Sequence, residues 1–136
     1  MTLGHEQSSA IRGTKVLVVD DDQDAAELLA EALGLLECET QVALDGERAL
    51  ALARSFRPKV AFLDLELPLM DGRELAARLR ADPSMAGLKL IALTGYAPPS
   101  DPVRSAFDQY VVKPLDIGRL SELLDQAAGR RPSSAQ

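Results

Sequence analysis

The sequence predicts an α/β fold: a doubly wound, five-stranded parallel sheet with helices on both faces. Short apolar runs recur along the 136-residue chain, and most are followed by apolar residues at helical spacing. Such alternation calls for parallel strands joined by right-handed helical crossovers. A second observation is the stretch "VAFLDLELPLMDG", residues 60–72, where Val60 to Leu63 run straight into Asp64. A strand without polar alternation is covered on both faces, as in a parallel sheet. An acid at its carboxyl end falls where open α/β sheets keep their sites.

Each element has its own signal. "KVLVV" (15–19) is a β-branched run ending in three aspartates. "QDAAELLAEALGLLE" (23–37) carries Leu28, Leu29, Ala32, Leu33 and Leu36 at helical spacing, and "TQVAL" (40–44) reads as the second strand. Asp45 caps a helix through about residue 54, with Ala49, Leu50, Ala53 and Phe56 inward. "KVAFLD" is the third strand. Asp71 caps the next helix, with Glu74 at the reciprocal capping-box position and Met70 placed to staple on Leu75. Gly87 separates that helix from "LKLIALT" (88–94). Pro98, Pro99 and Pro102 then make 95–107 poor helix material, so the fourth helix is expected to be short or irregular. "QYVV" (109–112) is the fifth strand. Asp116 caps a last helix, with Leu115 stapling on Leu120 and with Ile117, Leu120, Leu123, Leu124 and Ala127 inward. Residues 1–13 and 129–136 are polar, small and unpatterned, and read as loose tails around one domain at 14–128.

Composition narrows the function. A net charge of −6 without a Lys/Arg cluster argues against a nucleic-acid surface. Nothing approaches a membrane span of roughly 18 apolar residues, and the N-terminus lacks a secretory apolar core. A single cysteine, Cys38, permits no intrachain disulfide and reads as a small hydrophobe. His5, the only histidine, lies in the polar tail, where nothing would hold a metal or substrate against it. The expectation is a cytoplasmic domain without membrane insertion.

The strand ends carry the chemistry. Strand 1 finishes in Asp20-Asp21-Asp22, strand 3 in Asp64, strand 4 in Thr94 and strand 5 in Val112-Lys113-Pro114. A flavodoxin-like strand order, 2-1-3-4-5, makes strands 1 and 3 neighbours at the topological switch point, where Asp20, Asp21 and Asp64 converge. Two carboxylates about 4 Å apart repel by roughly 4 kcal/mol at an intermediate dielectric. A hard cation relieves this, and Mg²⁺ with few protein oxygens is the natural one. Metal, carboxylate, hydroxyl and ammonium together equip a site to handle a phosphoryl group. Asp22 reads instead as the cap of the helix that follows. Taken singly, Thr94 and Lys113 would pass for a strand-end threonine and a surface lysine; their joint placement singles them out.

Four stretches in this order, "VLVVDDDQD", "FLDLELPLMDG", "ALTGY" and "YVVKPL", resemble the receiver domain of two-component response regulators, across about residues 14–128. The resemblance implies a phosphoacceptor receiver, here apparently single-domain, that takes a phosphoryl group on Asp64 from a sensor histidine kinase or a histidine phosphotransfer protein. It implies Mg²⁺ held by Asp21, Asp64 and the Glu66 backbone carbonyl, with Asp20 acting mainly through water. Thr94 and Lys113 would hold the phosphoryl group, Tyr110 would switch rotamer with Thr94, and the Lys113–Pro114 bond would be cis. No enzymatic activity is implied beyond self-phosphorylation from a donor and self-dephosphorylation. The signal would leave by contact with a downstream protein.

Three features depart from the family pattern. Glu66 adds a carboxylate to the rim, and Tyr96 is bulky where attacking water would enter, either as a shield or as an exposed loop aromatic. Residues 95–112, between Thr94 and Lys113, are about one helical turn fewer than the family implies. The alternatives are a phosphate-independent docking module of receiver type and a receiver fragment of a hybrid histidine kinase. A phosphatase resembling the haloacid dehalogenase group would want a second Asp where Glu66 stands. A flavin binder would want a phosphate-cradling loop where the chain has acids.

Overall fold

The short apolar runs become strands, and the apolar residues at helical spacing become helices, as expected. The computed structural model describes residues 11–67, 69–95 and 107–127. Its strands are β1 (Lys15–Val19), β2 (Glu39–Ala43), β3 (Val60–Asp64), β4 (Lys89–Thr94) and β5 (Gln109–Val112). They pair in parallel in the order β2-β1-β3-β4-β5, the expected doubly wound arrangement. The helices are α1 (Gln23–Leu35), α2 (Gly46–Phe56), α3 (Gly72–Ala81) and α4 (Leu120–Ala127). Residues 96–106, where a short or irregular helix was expected between β4 and β5, lie outside the described residues, as do Tyr96 and Pro68.

Alternation along the strands builds two cores. Leu17, Val19, Ala61, Leu63, Leu90 and Ala92 point to one face and meet Ala49 and Ala53 of α2 and Leu75, Ala76 and Leu79 of α3. Val16, Val18, Val60, Phe62, Ile91 and Leu93 point the other way, onto Ala26, Leu29 and Leu33 of α1 and Leu120, Leu123 and Leu124 of α4. Every residue of β3 is buried, so this strand is the rigid centre that carries Asp64 to its carboxyl end.

The structure corrects several local expectations. On α1 the buried stripe is Ala26, Leu29, Ala32 and Leu33, while Leu28 is 63% exposed. The chain packs from Ile11 rather than from residue 14: Ile11 is 1% exposed in the core, and its carbonyl accepts from the Cys38 thiol at 3.7 Å. The Gly13 N–H adds a bond to the Glu37 carbonyl at 2.8 Å. Burial pushes the Cys38 thiol up to about 11, so it is a packing group and not a nucleophile. Asp71 caps α3 through the Arg73 and Glu74 N–H groups. The Glu74 carboxylate, however, pairs with Arg78 one turn on at 2.9 Å instead of closing the capping box. Asp116 caps a 3₁₀ turn, Ile117–Arg119, that leads into α4, by accepting from the Gly118 N–H at 2.9 Å. The side chain of Ile117 lies outside the described residues.

At the amino end of the sheet one carboxylate joins three elements. Asp108 Oδ2 accepts from the Leu90 N–H and from Arg80 Nη2, both at 2.8 Å, while Arg80 Nη1 donates to the Leu88 carbonyl at 2.8 Å. Burial raises the Asp108 carboxyl, but the Leu90 N–H and the Arg80 guanidinium outweigh it and hold it below its ordinary value. A lowered folded-state pKa gives stability that is present above the unfolded value. That stability is lost as pH falls through the lower folded value. Asp108→Ala should therefore cost about 1–2 kcal/mol at neutral pH. In acid the deficit should shrink, which urea unfolding at pH 7 and near pH 3 would check.

Candidate functional site

Of the functional side chains named from sequence, Asp20, Asp21, Asp64, Glu66, Thr94 and Lys113 stand at or beside the carboxyl ends of the strands; Tyr110 lies within β5, and Tyr96 is outside the described residues. Asp20 follows β1, Asp64 closes β3 and Thr94 closes β4; among the described residues these are the buried polar ones, at 3%, 4% and 4% exposure. Asp21 beside them is exposed. One carboxylate oxygen each from Asp20, Asp21 and Asp64 lie within 4.8 Å of one another.

Local bonding aims these groups. Asp20 Oδ1 accepts from the Asp22 N–H at 3.0 Å, and Asp64 Oδ1 accepts from the Glu66 N–H at 2.9 Å. Each carboxylate is thus pinned by the backbone two residues on, leaving its second oxygen to the cleft. Asp22 turns away and caps α1 through the Ala25 N–H at 3.3 Å, as its position predicts. Lys113 arrives from the opposite side: its backbone N–H donates to the Thr94 carbonyl at 2.7 Å, and the Lys113–Pro114 peptide is cis. Its ammonium then reaches Asp64 Oδ2 at 3.2 Å and Asp20 Oδ2 at 3.3 Å.

Charge and burial compete here. Burial raises the Asp20 carboxyl above its ordinary value and the Asp64 charge adds to that, against the Asp22 N–H and Lys113. For Lys113, burial pulls downward, but the facing Asp20 and Asp64 carboxylates outweigh it and leave the ammonium above its ordinary value. Lys113 is therefore a fixed cation held against two buried carboxylates. A donor set of three clustered carboxylates, one of them open to solvent, fits a hard divalent cation that keeps part of its water shell.

Sequence reasoning did not assign two features of the rim. Gly72, the first residue of α3, approaches the end of β3 so closely that a Cβ would stand 2.5 Å from the Asp64 carbonyl oxygen. The pairing Asp71-Gly72 was its only signal. Leu69 is fully exposed with φ +66°, a left-handed conformation that a branched side chain rarely takes, and nothing in its residue type announced it. A groove of about 480 Å³ also opens beside Asp20 and Lys113, walled by Leu28, Leu29, Pro114 and Leu115. Tyr110 is half-buried on β5 and packs edge-on to Phe107, with ring centroids 5.3 Å apart. In the β4–β5 register Tyr110 lies opposite Ala92, two residues from Thr94, so Thr94 and Tyr110 share a face of the sheet.

The model of the response regulator receiver domain matches residues 16–125. The chain belongs to this family. An uncharacterized 14.6 kDa protein of Leptolyngbya boryana is 40% identical over 114 residues, covering 82% of this chain and 87% of that one. The DNA-binding response regulator MtrA of Mycolicibacterium smegmatis is 40% identical over 104 residues, or 74% of this chain. The match spans only 44% of that regulator's length. Among solved structures, response regulator TrrA of Thermotoga maritima, in complex with Mg²⁺ and BeF, superposes with a TM-score of 0.76 at 35% identity. That match covers 84% of this chain and 98% of TrrA. This receiver domain therefore sits in two-component signalling. Among its described residues no helix is long and apolar enough to cross a membrane.

Proposed function

We propose that this receiver is a live phosphoacceptor: Asp64 takes a phosphoryl group from the phosphohistidine of a sensor kinase or phosphotransfer protein. The observation that carries the reading is the Lys113 ammonium between Asp64 and Asp20, with Asp21 on the same edge. A phosphate-independent docking module would have no use for a half-buried ammonium spanning two buried acids. The magnesium-bearing complex of TrrA supports the same reading.

In the proposed step a carboxylate oxygen of Asp64 attacks phosphorus, the P–N bond breaks, and the donor imidazole leaves. Mg²⁺ held by Asp20, Asp21, Asp64 and the Glu66 carbonyl would supply charge neutralisation on the phosphoryl oxygens. Lys113 exchanges part of its pairing with Asp64 for a phosphoryl oxygen, and the Thr94 hydroxyl donates to another. Asp64 stays in place because its other oxygen is tied to the Glu66 N–H and its strand is fully buried. The signal leaves as Thr94 moves toward the phosphoryl group and Tyr110, on the same face, turns into the space. Activity ends there: self-phosphorylation and self-dephosphorylation, with the downstream protein read by contact.

The test is metal binding and a phosphoryl mimic. Mg²⁺ should bind the unphosphorylated protein, and beryllofluoride with Mg²⁺ should shift the amide resonances of residues 20–22, 64–66, 94 and 113. Asp21→Ala should weaken the metal by at least about tenfold, since it removes one carboxylate of the set. An unchanged titration in that variant would move the metal elsewhere.

A further inference from the structure

The chain has four lysines, and three of them stand side by side at one pole. Lys15 opens β1, Lys59 precedes β3 and Lys89 opens β4. Their backbones are linked in sequence across the sheet: the Lys59 N–H donates to the Lys15 carbonyl at 2.8 Å, and the Lys89 N–H to the Lys59 carbonyl at 3.0 Å. Arg57 joins them from the end of α2, where it takes a left-handed conformation at φ +57°. Lys15, Arg57 and Lys59 are exposed and Lys89 is half-buried.

These cations are poorly compensated. None of them forms an ion pair among the described residues: Lys15 lies over the Phe56 ring, 5.5 Å from its centroid, and the Lys89 charge helps to hold the Asp108 carboxyl low. The acids nearby are engaged: Asp82 pairs with Arg54, Glu37 with Arg12, and Asp108 with Arg80. Among the described residues Glu39, which makes no ion pair, stands opposite Lys15 in the β1–β2 register. A protein with net charge −6 thus keeps a positive pole at the amino ends of its strands, while its acid cluster occupies the carboxyl ends.

The same pole holds a cavity of about 240 Å³ beneath Arg57 and Lys59, floored by the buried Pro58, Met85 and Leu88. An apolar floor under a cationic rim selects for an apolar side chain flanked by carboxylates. We infer that this pole is a docking face for an acidic peptide segment of a partner protein, with one apolar residue seated between Arg57 and Leu88. It goes beyond the phosphoacceptor reading, because the face lies at the opposite ends of the strands from Asp64 and needs no phosphoryl group.

Titration of the full chain, isotopically labelled for NMR, with a short peptide of glutamates around a central leucine tests it. Shifts should centre on residues 57–59, 84–89 and Lys15, saturate below about 1 mM, and weaken as salt is raised. The double variant Lys59→Glu/Lys89→Glu should bind at least about tenfold more weakly. Lys59→Gln/Lys89→Gln should fall between, which separates charge from misfolding, and a peptide with glutamine for glutamate should not bind. No shift by 1 mM, shifts centred elsewhere, or unaltered affinity in the charge-reversed protein would overturn the inference. Equal binding of a short DNA duplex at the same residues would overturn it too, since the face would then answer to any polyanion.

Discussion

Asp64→Asn should accept no phosphoryl group from acetyl phosphate and Mg²⁺, yet fold as the parent does. The amide is a poor nucleophile, so labelling should fall to background rather than by a modest factor. Stability should not suffer. Asp64 faces a second buried carboxylate, Asp20, and Lys113 can pair with either one at 3.2–3.3 Å. Removing one of two repelling charges leaves a one-to-one ion pair, and the amide oxygen can still accept the Glu66 N–H. The thermal midpoint should therefore hold or rise. Normal labelling of the variant by intact mass would sink the assignment of Asp64, and gross unfolding would sink the account of the cluster's charge balance.

Gly72→Ala should produce the largest stability loss of any single-methyl change near the site. The added Cβ would meet backbone, not a yielding side chain: 2.5 Å to the Asp64 carbonyl oxygen and 2.7 Å to Leu65 Cα. The close approach also carries a bond, Gly72 N–H to the Leu65 carbonyl at 3.1 Å, which ties the start of α3 to the loop after β3. Relief requires α3 to lift or the loop after Asp64 to shift. A cost of about 2–3 kcal/mol follows from overpacking of this kind, or roughly a 10 °C drop in thermal midpoint. The labelling rate at Asp64 should drop as well, because the strain is delivered to the residue that must stay aligned. A change under about 0.5 kcal/mol in urea unfolding would show the loop to be softer than its packing implies.

The site was legible in the sequence for an architectural reason. Parallel strands in a doubly wound sheet bring all their carboxyl ends to one edge, so Asp20, Asp64, Thr94 and Lys113 had to meet once the strands were recognised. What the sequence hid was phase and competition. Ala25, Ala26, Leu28, Leu29, Ala32, Leu33, Leu35 and Leu36 make an apolar arc on α1 wider than the face it buries, so spacing alone could not decide that Ala26 goes in and Leu28 stays out. Glu74 could close the capping box or pair with Arg78, and the pair one turn on won. Ile11 stands in a polar stretch, and it is buried in a core cluster of residues distant in sequence, among them Cys38, whose thiol donates to its carbonyl from 27 positions away. The strongly exposed, left-handed Leu69 breaks a backbone rule that residue type can neither forecast nor forbid.

Site mapping of the wild-type protein tests the central claim most directly. The protein would be incubated with acetyl phosphate and Mg²⁺, the acyl phosphate trapped by borohydride reduction, and the modified residue located by peptide mass spectrometry. The account predicts a single modified residue, Asp64, formed only when Mg²⁺ is present and much reduced when Lys113 is replaced by alanine. Modification at another carboxylate, or none at all with folded protein and metal in excess, would contradict it.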